Sequence, residues 1–243
     1  MKVNNTQNRL PIMAIFSLSI ILLVNQVYAE TLEPGMDKDV ALNQLSSTKN
    51  KKENDNKFYI KFQHGQASET DFVNTTLLEF NKSPDSGPLT AISLGKKIND
   101  SLFGLPVDII AYSSIQHFNE NHLQADIYGI TTSLKAYYDF LLFGNGIQTR
   151  VGLAGGLSYV SRIPKAEERD FARKGAESSK LNSHLEYSFD IPLGQFFNLK
   201  RHHSSIDEVY IGYTVWHRST AFGLFGETSG GVNYQGIAIE VIY

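Results

Sequence analysis

From residue 57 onward one pattern recurs: segments of about ten residues in which apolar and polar side chains alternate, separated by Gly, Asn, Asp, Ser and Pro. In 184–193, Leu185, Tyr187, Phe189, Ile191 and Leu193 share one parity, against His184, Glu186, Ser188 and Asp190. A strand sends alternate side chains to opposite faces, so this predicts a strand with one apolar wall. Val151, Leu153, Leu157 and Tyr159 alternate in the same way with Arg150, Gly152, Ala154, Gly156 and Ser158. Tyr128, Ile130, Leu134 and Tyr138 face away from Thr131, Ser133 and Lys135, and Val107, Ile109, Ala111 and Ile115 form another apolar face. Towards the C-terminus Val209, Ile211, Tyr213 and Val215 oppose Glu208, Tyr210, Gly212 and Thr214. The last segment carries Ile237, Ile239, Val241 and Tyr243 on one side.

These segments predict eight strands, at 58–65, 90–98, 107–118, 125–138, 147–159, 181–193, 207–219 and 233–243. A soluble sandwich also alternates, so the choice of lipid over water rests on three further details. Strand ends carry aromatics (Tyr128, Tyr138, Phe140, Phe143, Tyr159, Phe196, Phe197), as an interfacial girdle does. The polar faces hold charges of both signs, Lys135 and Arg150 with Glu186, Asp190, Glu208 and Glu240, which can pair inside a small barrel. The chain ends on an apolar-faced strand that resembles the recognition signal of outer-membrane proteins, and implies the barrel-assembly machinery as a partner during biogenesis.

The expected fold is therefore all-β: an eight-stranded antiparallel transmembrane β-barrel, with ten strands as the fallback. An extra run at 72–80 becomes part of the first outer loop, a hairpin standing above the membrane. Loops 65–89 and 161–180 are outer loops, and 99–106 and 141–146 are periplasmic turns. Leu185, Tyr187, Phe189, Ile191, Val209, Ile211 and Val215 should face outward, and Glu186, Asp190, Glu208 and Glu240 inward. An interior so filled leaves no diffusion pore.

Upstream, Lys2, Arg9, the apolar run 12–24 and Val27-Tyr28-Ala29 read as a signal peptide over 1–29. That run is short of the about 20 residues of a spanning helix. Residues 30–56 are polar and charged, and predict a flexible arm; 57–243 is the barrel. The chain has no cysteine, which excludes disulfides and thiolate metal sites, and its net charge of −3 suggests no nucleic acid. No metal-ligand cluster, cofactor or nucleotide motif is legible.

The outward parity of Val209 to Val215 continues into His217 and Ser219. The climb from Val209 to His217 rises roughly 20 Å at a tilt near 40°, close to the outer rim of the apolar band. There, a serine and a histidine on the lipid-facing wall suggest chemistry on a lipid. Across the next loop Asn233 and Gln235 share the outward parity, within one strand spacing of His217. A serine with a neighbouring base, and a third group holding the imidazole, is what an acyl hydrolase requires. His202-His203 reads as a solvated periplasmic turn, and His184 as an interior residue among carboxylates.

On these residues the last hundred positions resemble the outer-membrane lipid A 3-O-deacylases of the PagL type, eight-stranded barrels with an active site on the outside wall. The resemblance rests on His217-x-Ser219, on Ala221 and Gly223 after it, on Ser178-Ser179-Lys180-Leu181-Asn182 and on the glycine-rich strand from Val151 to Tyr159. It implies Ser219 as nucleophile and His217 as base. The family's third member is a Glu near the start of the last strand, where this chain has Asn233; Glu227 could replace it only if its loop folds back. The Asn that follows the family's serine is Thr220 here. The implied substrate and partner is lipid A of lipopolysaccharide in the outer membrane. Arg162, Lys165 and Arg169 in the loop 161–180 are candidates for holding its phosphates. A non-catalytic small barrel, structural protein or adhesin, is the alternative, and a homodimer is left open.

Overall fold

The structure, a computed structural model, describes residues 57–84, 86–120, 123–142, 147–175, 177–197, 205–220 and 231–243. The expected signal peptide and arm, His202-His203, Ala221, Gly223 and Glu227 lie outside them. Among the described residues there are eight strands: β1 (Phe58–Ser68), β2 (Pro88–Asn99), β3 (Val107–Phe118), β4 (Ile127–Leu142), β5 (Ile147–Val160), β6 (Leu181–Pro192), β7 (Glu208–Ser219) and β8 (Gly231–Ile242). Every sequential pair is antiparallel, and β1 closes on β8, so the sheet is a barrel with no free edge. Phe58 and Tyr243 exchange backbone hydrogen bonds of 3.1 and 3.0 Å across that seam.

Period-two patterning sets the faces. Outward side chains such as Ile60, Ile92, Ile115, Ile130, Leu157 and Ile237 are exposed and form an apolar belt suited to lipid. Inside, Lys61 (2.6 Å) and Lys135 (2.5 Å) hold Glu186, while Arg150 bridges Asp190 (3.1 Å) and Glu240. Tyr112 donates to Glu240 at 2.6 Å, and the Arg150 guanidinium lies over the rings of Tyr137 and Tyr210. Three cations thus meet three carboxylates in one buried layer, which removes the cost of unpaired interior charge. Gly152 makes room for it: a Cβ there would stand 2.5 Å from Lys135 Cε and 2.6 Å from Tyr137 Cε1. Apolar clusters flank the layer, one around Phe118, Trp216 and Tyr234, the other around Tyr59, Ile110 and Tyr112.

Glu186, Asp190 and Glu240 therefore face inward as expected. Glu208 does not reach that layer. It sits half-buried at the strand's start, where its carboxylate accepts from the Gly194 backbone N–H at 3.0 Å. Leu193 leaves β6 for a single 3-10 turn, Leu193–Gln195. Val215 has outward parity yet is fully buried.

The last departure traces to the first outer loop. Residues 72–80 form neither strand nor hairpin. Asp71 caps a short helix, α1 (Phe72–Thr76), its side chain accepting from the Asn74 N–H at 3.1 Å. The segment does not stand above the membrane: α1 lies on the outer wall of β7 and β8. Its root is a bridge between Ser68 and Lys82, reinforced by Glu69 N–H to Asn81 O at 2.8 Å. The 161–180 loop contains a second helix, α2 (Lys165–Arg173), which packs against β8. No helix among the described residues is long and apolar enough to cross a membrane.

Candidate active site on the outer wall

Strand register brings the polar outward residues together. His217 pairs directly with Asn233 on β8, and Ser219 with Ser183 on β6 and Gly231 on β8. His217 Nδ1 lies 2.6 Å from Asn233 Oδ1. The amide's orientation is fixed from the other side, because Asn233 Nδ2 donates to the Thr70 carbonyl at 2.6 Å. With its nitrogen so used, Asn233 presents oxygen to the ring, so Nδ1 carries the proton and the lone pair is on Nε2. That is the tautomer a general base needs.

Ser183 donates to the Ser219 carbonyl at 2.7 Å, and its Oγ lies 3.2 Å from Ser219 Oγ. Having spent its own proton on the carbonyl, Ser183 is the acceptor in that second contact. Gly231 keeps the space between histidine and serine open: a Cβ there would come 2.9 Å from His217 Cε1 and 3.1 Å from Ser219 Cβ. Any larger residue would be driven between the two. Ser183 and Gly231 were legible from register alone, since each sits opposite Ser219 on a neighbouring strand.

The cover over this cluster was not legible. Phe72 packs against His217 with ring centroids 5.1 Å apart. Tyr213 OH donates to Thr75 O and approaches Gln235 Oε1, at 2.6 and 2.5 Å, and Gln235 Nε2 reaches Glu79 O at 3.4 Å. Val215, Asn233 and Gln235, outward on a lipid-facing wall, are buried as a result.

Above the cluster, α2 closes the outer mouth. Glu167 is fully buried and accepts from Arg218 and from Asn182 Nδ2 (2.9 Å), while Arg218 also donates to the carbonyls of Ser179 (2.6 Å) and Lys180 (2.7 Å). Burial pushes the Glu167 carboxyl above its ordinary range, with Arg218, Ser178 and Asn182 working against that shift. Asp170 accepts from the Gly231 N–H at 3.1 Å and pairs with Lys174 and Arg173. Partial burial raises its pKa, but those hydrogen bonds outweigh burial and hold it below the usual carboxylate value.

The three basic candidates are not gathered at the cluster. Lys165 pairs with Glu168 at 2.6 Å, and Arg169 with Glu69 and, at 3.3 Å, with Ser83 Oγ, tying α2 to the first outer loop. Arg162 is exposed in the turn before α2. Thr220 is fully buried. Among the described residues no group of three or more His, Cys, Asp and Glu could hold a metal ion.

No family model and no curated protein sequence matches this chain. Among solved structures, the outer membrane enzyme PagL is similar over 76% of this chain and 97% of its own, at 10% identity and a TM-score of 0.49. Neisserial surface protein A (14% identity, TM-score 0.42) and the outer membrane protein OprG from Pseudomonas aeruginosa (14%, 0.30) each match over 76% of this chain and 95% of theirs. The closed wall, its exposed apolar belt and its self-neutralised interior are those of an eight-stranded antiparallel β-barrel built to span a membrane.

Proposed function

We propose that this barrel is a serine ester hydrolase that removes an acyl chain from lipid A in the outer leaflet. One observation carries the reading: His217 is held through Nδ1 by Asn233, itself fixed by Thr70, on the same wall and one outward position from Ser219. Asn233 also ties the first outer loop through Thr70, but that tie does not call for a histidine on its oxygen or a serine one outward position further on. In the proposed reaction Ser219 Oγ attacks the ester carbonyl as His217 Nε2 takes its proton. His217 then returns the proton to the departing sugar oxygen, leaving an acyl-serine that water hydrolyses. Asn233 orients the imidazole and fixes its tautomer, but brings no charge to stabilise imidazolium, so a modest rate is expected.

Lipid A is the substrate class because its ester-linked chains lie at the height of the outer rim, where strand geometry places His217. Arg162 is the basic candidate left exposed for a phosphate. A second reading, a non-catalytic barrel, is favoured by the cover that Phe72 makes over His217. Purified protein incubated with lipopolysaccharide, with lipid A analysed by mass spectrometry, decides between them. Loss of one acyl mass that disappears in Ser219→Ala supports the hydrolase; intact lipid A leaves the bare barrel.

A further inference from the structure

The segment from Thr70 to Phe80 has two unlike faces. Towards the wall, three of its carbonyls are taken by side chains of β7 and β8: Thr70 by Asn233 (2.6 Å), Thr75 by Tyr213 (2.6 Å) and Glu79 by Gln235 (3.4 Å). Away from the wall it presents Val73, Leu77, Leu78 and Phe80, of which Leu77 and Leu78 are each 69% exposed. Water does not explain so apolar a free edge on a polar loop.

Depth and hydrogen bonding argue for lipid. Tyr213 is four residues below His217 on β7, about 13 Å along the strand, so the Thr75 end of the segment reaches below the rim. Irregular backbone at that depth must have its polar groups satisfied. Here Thr75 N–H bonds Asp71 O (2.9 Å), Leu77 N–H bonds Val73 O (3.2 Å) and Glu79 N–H bonds Asn74 O (3.1 Å), while the wall takes the three carbonyls above. Both carboxylates, Asp71 and Glu79, stand exposed near the ends, as an element at the headgroup boundary requires. The free edge continues the belt to which Ile237 belongs. Leu78 is held at φ 69°, a left-handed backbone unfavourable for leucine, so the closed form carries local strain.

We propose that Thr70–Phe80 is a lipid-seated strap. Its free edge rests in outer-leaflet acyl chains at the headgroup boundary, and its other face, through Phe72, covers part of the His217 ring against those same chains until the strap lifts. Its bearing on activity rests on the hydrolase reading above; the strap itself does not. Lifting breaks the Thr75 and Glu79 contacts and swings Phe72 away from the imidazole, while the Thr70 tie to Asn233 stays as the hinge and keeps the amide oriented, and no element of the barrel needs to move.

Two measurements on the full chain in phosphatidylcholine vesicles test it. The protein has no cysteine, so Leu77→Cys takes a single environment-sensitive fluorophore. The expected result is quenching by brominated acyl chains; quenching by aqueous iodide alone overturns the lipid seat. In the second, Tyr213→Phe with Gln235→Ala removes two of the three ties. Diethyl pyrocarbonate should then modify His217 about tenfold faster than in the parent, read by peptide mass, with exposed His64 and half-buried His117 unchanged. Heat-modifiable gel mobility reports folding, and Gln235→Ala alone serves if the double variant fails to fold. An unchanged His217 rate overturns the strap as a cover. If modification accelerates and ester hydrolysis rises with it, both readings stand; if it accelerates with no hydrolysis in either form, the strap stands and the hydrolase falls.

Discussion

Two buried polar regions of this barrel are built on opposite plans. Inside, Lys61, Lys135 and Arg150 neutralise Glu186, Asp190 and Glu240, and every member comes from a spanning strand. On the outer wall, a loop segment laid over them buries Asn233 and Gln235 and leaves His217 half-buried. The first region holds as long as the barrel does. The second depends on a few side chain-to-carbonyl bonds that can break while the barrel stays whole. Burial is the same word for both, but only the second is a state the molecule can leave.

The sharpest way to separate them is by what each loss does. Ser219→Ala should abolish hydrolysis, by roughly four or more powers of ten in kcat, with unchanged unfolding in denaturant. A comparable fall in barrel stability would show that the wall cluster is structural after all. Arg150→Met should do the reverse, leaving Asp190 and Glu240 without their cation. A loss of about 3–5 kcal/mol in urea unfolding from detergent micelles is expected, with hydrolysis by the surviving folded fraction unaffected.

Finer changes test the wall. Asn233→Ala should lower kcat by about a hundredfold, whereas Asn233→Asp keeps or raises it, because a carboxylate also stabilises the imidazolium. Equal losses in the two variants would deny Asn233 its orienting part. The smallest effect is at Asp170, whose folded pKa is depressed. Its contribution is present above the ordinary carboxylate value and lost as pH falls through the folded one. The Gly231 amide, its partner, should therefore lose hydrogen-exchange protection only in acid, beyond what intrinsic exchange explains. Loss of protection on raising pH instead would reverse the assignment.

What was legible in the sequence follows the same division. Period-two alternation located the eight strands and the inward carboxylates, because a one-residue slip would exchange every face. It also brought Asn233 or Gln235 beside His217, and the observed register pairs His217 with Asn233 and leaves Gln235 opposite Val215. The strap escaped because Phe72 to Phe80 mixes residues serving two surfaces, Phe72 towards His217 and Leu77, Leu78 and Phe80 outward, in a run too short for helical periodicity. Nothing local foretells that Arg169 pairs with Glu69, one hundred positions away. Val215 kept its predicted direction and lost its predicted exposure for the same reason: a strand's pattern fixes where a side chain points, and a distant loop decides what it meets.

The seam gives the wall cluster a place in the order of assembly. The strap grows out of β1, the first strand, and crosses to β8 and β7, the last two; the tie between Thr70 and Asn233 therefore joins the two ends of the barrel sequence. Until β8 pairs with β1, the amide that sets the histidine tautomer has no fixed partner, and His217 has no cover. A chain whose barrel is still open holds Ser219 and His217 on one strand, but without the Asn233 contact that orients the imidazole. On the hydrolase reading, the oriented amide beside His217 therefore exists only once β8 has closed on β1.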